Sequence, residues 1–372
     1  MSLVLTRIQN IRANSNFDKF EYRPSRYGAL NAFMVQSEDP TGILTEELKQ
    51  KARTSIGNVL ETPVINYDAD ITIGSTRTLE ITDSENTSKM VQITFATYAW
   101  GFTIAPAMYM NNEIGIQKDF ETKMMKYIYA FAKKLDEAAL AQLAASKTQI
   151  LKNKLLYDFS SNAINAKWAE RENVFGDLEV MMGANDFYGQ LHIVGDPGVE
   201  SIMRKLQQHG LYNDVNKQNE FGTKIVHLTN NIAANSGKYA QGYAVNAGSL
   251  GMLTRFERDC LLGTVSGDGH EWGIATLPLL NMPVGTYFYD SVGDYNAIAG
   301  AATADMTRTR KEHYGFAVDV AFLTAYNSSP TTLASPILSF NISSENAVYA
   351  KPVVVVNSKD SPVNTKAVGA GG

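Results

Sequence analysis

Cysteine is almost missing from this sequence, since Cys260 is the only one in 372 residues. A single thiol cannot form a disulfide within the chain, which fits folding in a reducing compartment. The neighbours Asp259 and Leu261 offer no positive charge that would stabilise a thiolate. We therefore expect Cys260 to be a buried structural residue and not a nucleophile.

Long apolar runs are missing as well. The first residues, MSLVLTRIQNIRANSN, become polar before an apolar run develops, so no signal peptide is predicted. No stretch reaches the ~18 apolar residues typical of a membrane-spanning helix. The sequence therefore predicts no membrane partner. It predicts a chain that stays in the cytosol where it is made, unless it leaves as part of something larger.

A strong excess of one charge is the third absence. The chain carries 33 Lys and Arg against 38 Asp and Glu, a net charge of -5, which argues against a dedicated nucleic-acid-binding face. The N-terminal segment is the local exception, with five basic and two acidic residues: Arg7, Arg12, Lys19, Arg23 and Arg26 against Asp18 and Glu21. Two interpretations stay open, a solvated arm and an arm that lies against a polyanion or a neighbour's acidic patch.

Recognisable catalytic and ligand-binding motifs are missing too. The five histidines are scattered without metal-ligand spacing, and no phosphate loop, nucleophile elbow or dinucleotide fingerprint occurs. The one suggestive stretch is SGDGHEWG, where Asp268 and Glu271 flank His270, although loop charges explain it equally well. Asp68 and Asp70 fit a strand edge better than a metal site. We predict no catalytic residue, no cofactor and no metal.

A long amphipathic helix is what the sequence does contain. In FETKMMKYIYAFAKKLDEAALAQLAAS, apolar residues recur three or four positions apart. The stripe consists of Phe120, Met124, Ile128, Phe131, Leu135, Ala139 and Leu143. The predicted helix covers residues 116 to 147 and is about 48 Å long. Because so long a helix must be stabilised by packing, we expect elements on both chain sides to contact it.

Before this helix the apolar residues alternate with polar ones. TLEIT and MVQITFATY show the period of two that is typical of strands, and the polar DSENTSK of residues 83 to 89 separates them. The pattern predicts a projecting β-hairpin with Asp83, Glu85 and Lys89 in its loop. A two-stranded hairpin is marginally stable alone in water, so it is expected to rest on another surface.

The remaining segments predict a mixed chain. Residues 1 to 42 read as an extended arm, and Thr45 caps a short helix with Leu48, Ala52 and Ile56 on one face. A second helical segment is predicted for residues 163 to 182. Beyond it a helix begins at GDPG with Asp196 as its cap. Strands are predicted at LHIV, TKIVHL, YAVNAGSL, GIATLPLL, GTYFYDSV and FAVDVAFLTAY, and a loosely ordered tail from residue 357.

This order of elements resembles the major capsid protein of tailed bacteriophages, which has the Hong Kong 97-type fold. The stretches that carry the likeness are FATYAWGFTIAPAMYMNNEIG, KKLDEAALAQLAA, YAVNAGSLGMLTRF and GIATLPLLNMPVGTYFYDSVGDYNA. The resemblance implies an α+β chain with an N-terminal arm, a projecting hairpin (the E-loop), a spine-helix P-domain and a mixed α/β A-domain. The implied divisions are 1–60 arm and short helix, 61–110 E-loop, 111–189 P-domain, 190–310 A-domain, and 311–372 returning strands and tail.

The resemblance also implies a structural role and no enzymatic one. Copies of the chain would assemble as pentamers and hexamers into an icosahedral head in the host cytoplasm, and would end up in the virion. Scaffold, portal and decoration proteins are the implied partners, together with double-stranded DNA contacted without sequence reading. The candidate intersubunit residues are the hairpin and arm charges: Asp83, Glu85, Lys89, Arg7, Arg12, Arg23 and Arg26.

Three alternatives stay open from the sequence. A different virion part, such as a tail or head-decoration protein, would form tubes or trimers. An encapsulin-like bacterial compartment shares the fold, and a cargo enzyme encoded beside the gene would favour it. An enzyme with an unrecognised site would have to use the loop around Asp268, His270 and Glu271.

Overall fold

The computed structural model describes residues 3–13, 26–40, 42–55, 59–65, 88–109, 115–151, 155–211, 224–235, 237–263, 269–295, 307–325 and 335–345. Its helices are α1 Leu3–Ala13, α2 Gly28–Ser37, α3 Glu46–Thr54, α4 Ile116–Ser146, α5 Val174–Ala184, α6 Pro197–Leu211 and α7 Arg258–Leu262. Its strands are β1 Val59–Ile65, β2 Ser88–Thr94, β3 Ala96–Ile104, β4 Asp158–Ser160, β5 Ala163–Ala166, β6 Leu191–Gly195, β7 Lys224–Leu228, β8 Lys238–Asn246, β9 Leu250–Arg255, β10 Glu271–Thr276, β11 Pro283–Tyr295, β12 Thr307–Thr324 and β13 Ile337–Ser343.

The predicted long helix is confirmed. The spine helix α4 has 31 residues and begins at Ile116, as the apolar period indicates. All members of the predicted stripe are buried, from Phe120 to Leu143. The mixed helix-and-strand character predicted for the chain is confirmed as well.

The N-terminal half of the spine helix packs on a five-stranded antiparallel sheet. The order is β10-β11-β12-β3, and β9 pairs with the end of β12. On β12 the residues from Glu312 to Val320 alternate between buried and half-buried, because every second side chain faces the helix. Rings dominate this interface: Phe120 meets Phe102 at 5.3 Å and Tyr314 at 5.0 Å between centroids.

The C-terminal half of the spine helix packs under a six-stranded sheet. Its order is β4-β5-β13-β8-β6-β7. Helix α2 lies in the same layer as this half of α4, where Ala29, Phe33, Ala139, Leu143 and Val245 form one cluster. Helices α5 and α6 cover the opposite face of the sheet, through a separate core that includes Phe175, Ile193 and Val199. The spine helix therefore joins two bodies, each with its own sheet and core.

Strands β1 and β2 form a two-stranded antiparallel sheet in register from Val59–Thr94 to Ile65–Ser88. The described partner of β2 is β1, a strand that was not predicted, whereas the TLEIT strand of the predicted hairpin lies outside the described residues, so the pairing of TLEIT with MVQITFATY stays a prediction. Two details were wrong. Ser88 and Lys89 belong to strand β2 and not to the loop, and MVQITFATY is two strands, because the chain leaves the hairpin at Phe95 and enters the five-stranded sheet as β3. The alternation of apolar and polar residues continues through the point where the chain passes from one sheet to the other, so the pattern does not reveal that point.

The extended arm predicted for residues 1 to 42 was also wrong in its described part. Helix α1 buries Val4, Ile8 and Ile11 against the spine helix and its sheet, and α2 buries Leu30 and Phe33. Tertiary packing supplies this helicity, since neither segment has an acidic first turn. The short helix capped by Thr45 is confirmed, with the Leu48 amide donating to Thr45 Oγ1 at 3.3 Å; Ile56 lies outside the described residues.

The helix predicted for residues 163 to 182 is in fact a strand followed by a shorter helix. Strand β5 pairs with β4 and β13, a single 3-10 turn covers Trp168–Glu170, and the α-helix α5 begins only at Val174. The sheets also divide the chain differently from the implied boundaries. Strands β4 and β5 join the six-stranded sheet, whereas β9, β10 and β11 from the implied 190–310 A-domain join the five-stranded sheet. Strand β13 was not predicted. The helix capped by Asp196 is confirmed, as the Val199 amide donates to its Oδ1 at 3.0 Å.

Candidate assembly surfaces

The hairpin base is anchored by a small apolar cluster. Leu60, Ile93 and Phe95 pack with Ala52 of α3 and Leu253 of β9. Beyond this anchor β1 and β2 bond only to one another among the described strands, and Met90 is 54% exposed. Among the described residues the strand pair is thus tied at one end to α3 and to the five-stranded sheet.

The structure places only one of the predicted hairpin charges. Lys89 lies in β2 opposite Val64. Asp83 and Glu85 lie outside the described residues, as do Asp68 and Asp70. The hairpin charges therefore remain predictions as intersubunit contacts.

Among the predicted arm charges, Arg7 is engaged within the chain. Its Nη2 donates to Glu312 Oε2 at 2.9 Å, and its guanidinium lies over the rings of Tyr314 and Phe120 at 5.3 and 5.7 Å. The two paired side chains are 14% and 6% exposed. Burial, together with a hydrogen bond to Glu312, raises the pKa of Tyr314. Arg7 therefore fastens α1 to the spine body.

Arg26 lies at the other body. Its guanidinium binds both carboxylate oxygens of Glu200 on α6, and Arg204 Nη2 donates to the same carboxylate at 2.7 Å. The hydrogen bond from Arg26 leads the causes that lower the pKa of Glu200. Arg12 is the penultimate residue of α1, and its side chain lies outside the described part of the chain, as does the whole of Arg23. The intersubunit role of the arm charges remains a prediction.

The outer face of the five-stranded sheet carries a groove beside α7. Its floor is made of small residues, Ala99, Gly285, Gly315 and Ala317, and Tyr287 stands at one side. A second hollow continues from it past α7, where the apolar side chains of Leu261 and Leu262 are 45% and 65% exposed.

His270 lies in a row of rings on the same face. It stacks near Trp272, Tyr287 and Tyr289, and its Nδ1 lies 2.6 Å from the Tyr287 hydroxyl. Strand alternation sends the next side chain, Glu271, to the other face of the sheet, and Asp268 lies outside the described residues. The predicted Asp268–His270–Glu271 set is not brought together in the described part of the chain.

Cys260 is buried on α7 beneath this groove. Its Sγ lies 3.8 Å from the Thr286 carbonyl oxygen, and burial raises the pKa of the thiol. A Cβ at Gly285 would lie 3.0 Å from the same sulfur. The predicted structural role of Cys260 is therefore confirmed: it fills the space between α7 and the sheet.

A buried carboxylate joins the spine helix to the other body. Asp136 of α4 is fully buried and accepts from the Leu30 amide at 2.9 Å, Thr229 Oγ1 at 2.6 Å and Asn231 Nδ2 at 2.8 Å. Helix α2, the spine helix and the chain after β7 thus meet at one side chain. The sequence signal was available, because Ala132, Asp136 and Leu140 recur four residues apart as a second buried stripe.

Two histidines that appeared unrelated in the sequence also meet in this region. His192 Nδ1 lies 3.0 Å from His227 Nε2, and both residues are buried. They come from β6 and β7, which are parallel neighbours. Their separation of 35 positions hides the pair from any spacing argument.

Within the described ranges no group of three or more His, Cys, Asp or Glu residues is arranged to hold a metal ion. No helix in the same ranges combines the length and apolar character needed to cross a membrane.

No protein-family model matches the chain, and no curated protein matches it. Solved phage structures overlap it at low identity. The structure titled Mycobacterium phage Adephagia shares 9% identity over 93% of this chain and 99% of that one, with a TM-score of 0.47. The capsid of Ralstonia phage GP4 shares 11% over 88% and 93%, with a TM-score of 0.46. The capsid of cyanophage P-SCSP1u shares 13% over 78% and 85%, with a TM-score of 0.40.

Proposed function

We propose that this chain is the major coat subunit of a tailed-phage head, a structural protein of the Hong Kong 97-like type that assembles with copies of itself into a closed shell. The observation that carries the proposal is the spine helix. Its 31 residues pack against two separate cores, one on each half of the helix. Among the described residues, the β1–β2 strand pair is attached to the rest of the chain at one end.

A rigid two-body frame suits a shell subunit. Each copy in a closed shell must present different surfaces to neighbours at fixed mutual angles, because heterologous contacts close only if the rotation between copies is constant. A helix packed along its whole length against two sheets sets such an angle. Two small bodies joined by a flexible linker would not.

The hairpin supports intermolecular contact for an energetic reason. A two-stranded sheet alone is marginally stable in water, and among the described side chains of β1–β2 the apolar packing against the body is made by Leu60 and Ile93, with Phe95 just beyond β2. A neighbouring copy would supply the missing surface. Many such contacts, each weak, make a stable shell because every closed contact raises the effective concentration for the next.

The further assignments belong to the same proposal. The chain would form pentamers and hexamers around packaged double-stranded DNA, touched without sequence reading, and scaffold, portal and decoration proteins would be its other partners. The divisions 1–60, 61–110, 111–189, 190–310 and 311–372 are kept as functional regions within this proposal. A net charge of -5 is compatible with DNA that must enter and leave the head freely.

Negative-stain electron microscopy of the purified full chain, with light scattering for mass, tests the proposal. Closed shells, rings, or curved sheets built from rings are expected. A chain that remains monomeric at every salt and protein concentration, including concentrated solutions at low salt, would contradict it.

Variants at the hairpin add a graded test. Reversal of two charges, Asp83→Lys with Glu85→Lys, should block particle formation while thermal unfolding of the monomer stays unchanged. The matched control, Asp83→Asn with Glu85→Gln, keeps the shapes and should weaken assembly less. Normal particles from the reversed variant would exclude these residues as contacts.

A further inference from the structure

The proposed coat function makes no use of the two buried histidines between the six-stranded sheet and α2. The rings of His192 and His227 are nearly parallel, at 9°, with centroids 5.3 Å apart. Asn31 of α2 extends the contact, since its Nδ2 lies 3.3 Å from His227 Nδ1. A three-residue chain of polar contacts therefore runs from β6 through β7 to α2.

Whether these hydrogen bonds can form depends on how many protons the two imidazole rings carry. At 3.0 Å the contact between His192 Nδ1 and His227 Nε2 is a hydrogen bond only if one nitrogen carries a proton and the other does not. If both rings were imidazolium, two N–H groups would point at each other in a buried site. An extra proton on His227 Nδ1 would likewise face the Asn31 amide.

We infer that the contact between α2 and β7 is an acid-operated joint, closed while His192 and His227 are neutral and opened when the pair takes up protons. This goes beyond the proposed function and concerns the single chain, so it can be tested without assembly.

The electrostatics of the pair agree with the geometry. Burial lowers the pKa of His227 to about 4, with the neighbouring His192 as a smaller cause, and burial lowers the pKa of His192 as well. A solvated histidine titrates near 6.5. The joint is therefore fully stable above the open-state pKa and loses stability as pH falls from there toward the lower closed-state pKa values.

The charged groups around the pair do not reverse this direction. Asp39, after α2, raises the pKa of His192, but less than burial lowers it. Asp136 on the spine-helix side already accepts from three donors. Tyr243 of β8 shares the histidine face, and burial raises the pKa of its hydroxyl, which stays neutral.

The remaining charges face elsewhere. Lys224 of β7 lies on the opposite face of the strand and its Nζ is 3.4 Å from Glu179 Oε2. The Arg26–Glu200 pair lies at the rim, and its carboxylate has a pKa below the usual range, so it keeps its charge while the histidines titrate. Protons arriving between about pH 6.5 and 5 therefore act mainly on the histidine pair.

The position of the pair makes the opening local. In the described sheet β7 is an edge strand that pairs with β6 alone. The bridge between Tyr27 and Thr229 and a hydrogen bond from the Asn230 amide to the Arg26 carbonyl, at 3.3 Å, join its end to the start of α2. The far side of α2 is held separately, with Phe33 5.0 Å from Phe322 between ring centroids. Opening is thus expected at β7 and the start of α2, while the spine helix stays closed.

Hydrogen exchange of the full chain, measured by mass spectrometry and corrected for the intrinsic pH dependence of amide exchange, tests the inference. Peptides covering 26–32 and 224–229 should show an opening constant that rises about tenfold for each pH unit between about 6.5 and 5. A peptide within 120–135 should not change. Equal increases in all three would indicate global unfolding and overturn the proposal.

The matched variant combines His192→Asn with His227→Gln. An Asn oxygen can replace His192 Nδ1 and a Gln amide can replace His227 Nε2, so the bond is kept and no group titrates. In this double variant the opening constant should increase by less than about twofold for each unit by which the pH is lowered. His313→Gln is the control, because His313 lies on the five-stranded sheet, bonded to Ser291 and Thr103; it should behave as wild type. A double variant with the wild-type slope would overturn the proposal.

A ring-proton NMR titration of the wild-type chain tests the same point if the double variant does not fold. Both rings should titrate below the ordinary histidine value of about 6.5 for as long as the β7 amides are protected. Titration of either ring near 6.5 with those amides still protected would overturn the proposal.

Discussion

The two halves of the spine helix meet the rest of the chain in different ways. The N-terminal half contacts its sheet through rings and aliphatic groups, with Phe120, Ile128 and Phe131 in one continuous core. The C-terminal half is also apolar in part, yet it places Asp136 in a buried hydrogen-bond network beside two buried histidines. The spine helix therefore has two kinds of interface. Its N-terminal half is held by apolar packing (the aromatic joint), and its C-terminal half is held in addition by buried hydrogen bonds (the polar joint).

The two joints are therefore expected to contribute differently to the free energy of unfolding and to the relative placement of the packed elements. Apolar packing is non-directional and tolerates small shifts, whereas an unmade buried hydrogen bond costs free energy at once. The aromatic joint should thus contribute most to the free energy of unfolding. The polar joint should fix how α2 and the chain after β7 lie against the spine helix, and the contact between α2 and β7 should be the part that is sensitive to protons.

The largest effect is expected from breaking the aromatic joint. Phe120→Ala removes a fully buried ring, and such a truncation costs about 3–5 kcal/mol of unfolding free energy. Denaturant unfolding followed by tryptophan fluorescence measures it. Val180→Ala, at a side chain 55% exposed, is the control and should change less than about 0.5 kcal/mol. A loss below about 1 kcal/mol at Phe120 would show that the core re-packs readily.

A smaller loss of unfolding free energy is expected from a substitution in the polar joint. Asp136→Asn keeps the shape but turns an oxygen that accepts from Thr229, Asn231 or Leu30 into a donor. At least one buried donor then lacks its partner, at about 1–3 kcal/mol. Glu137→Gln, on the adjacent half-exposed side chain, is the control. Equal effects of the two substitutions in the same denaturant assay would contradict a special role for Asp136.

The sequence predicted these two joints to different degrees. Periodicity located the aromatic joint, because a stripe from Phe120 to Leu143 requires a partner surface. For the polar joint, periodicity indicates only that Asp136 lies on a buried stripe. It could not indicate the contact among His192, His227 and Asn31, which are brought together only by the pairing of β6 with β7 and the docking of α2. Helices α1 and α2 were missed for a related reason. Their apolar residues are buried against the spine helix and its neighbours, but these residues do not follow a helical period that could be recognised in the sequence.

The smallest effect is expected at the rim of the polar joint. Arg26→Ala breaks the pair with Glu200, whose side chains are 42% and 18% exposed, and exposed ion pairs contribute less than about 1 kcal/mol. Arg26 lowers the pKa of Glu200, so this contribution is present above the ordinary Glu value and is lost as pH falls through the lower folded value. Salt should shrink it further. Unfolding curves of wild type and variant should converge in acid and at high salt. A difference that persists in both would mean that Arg26 acts through packing, and the rim would then belong with the aromatic joint.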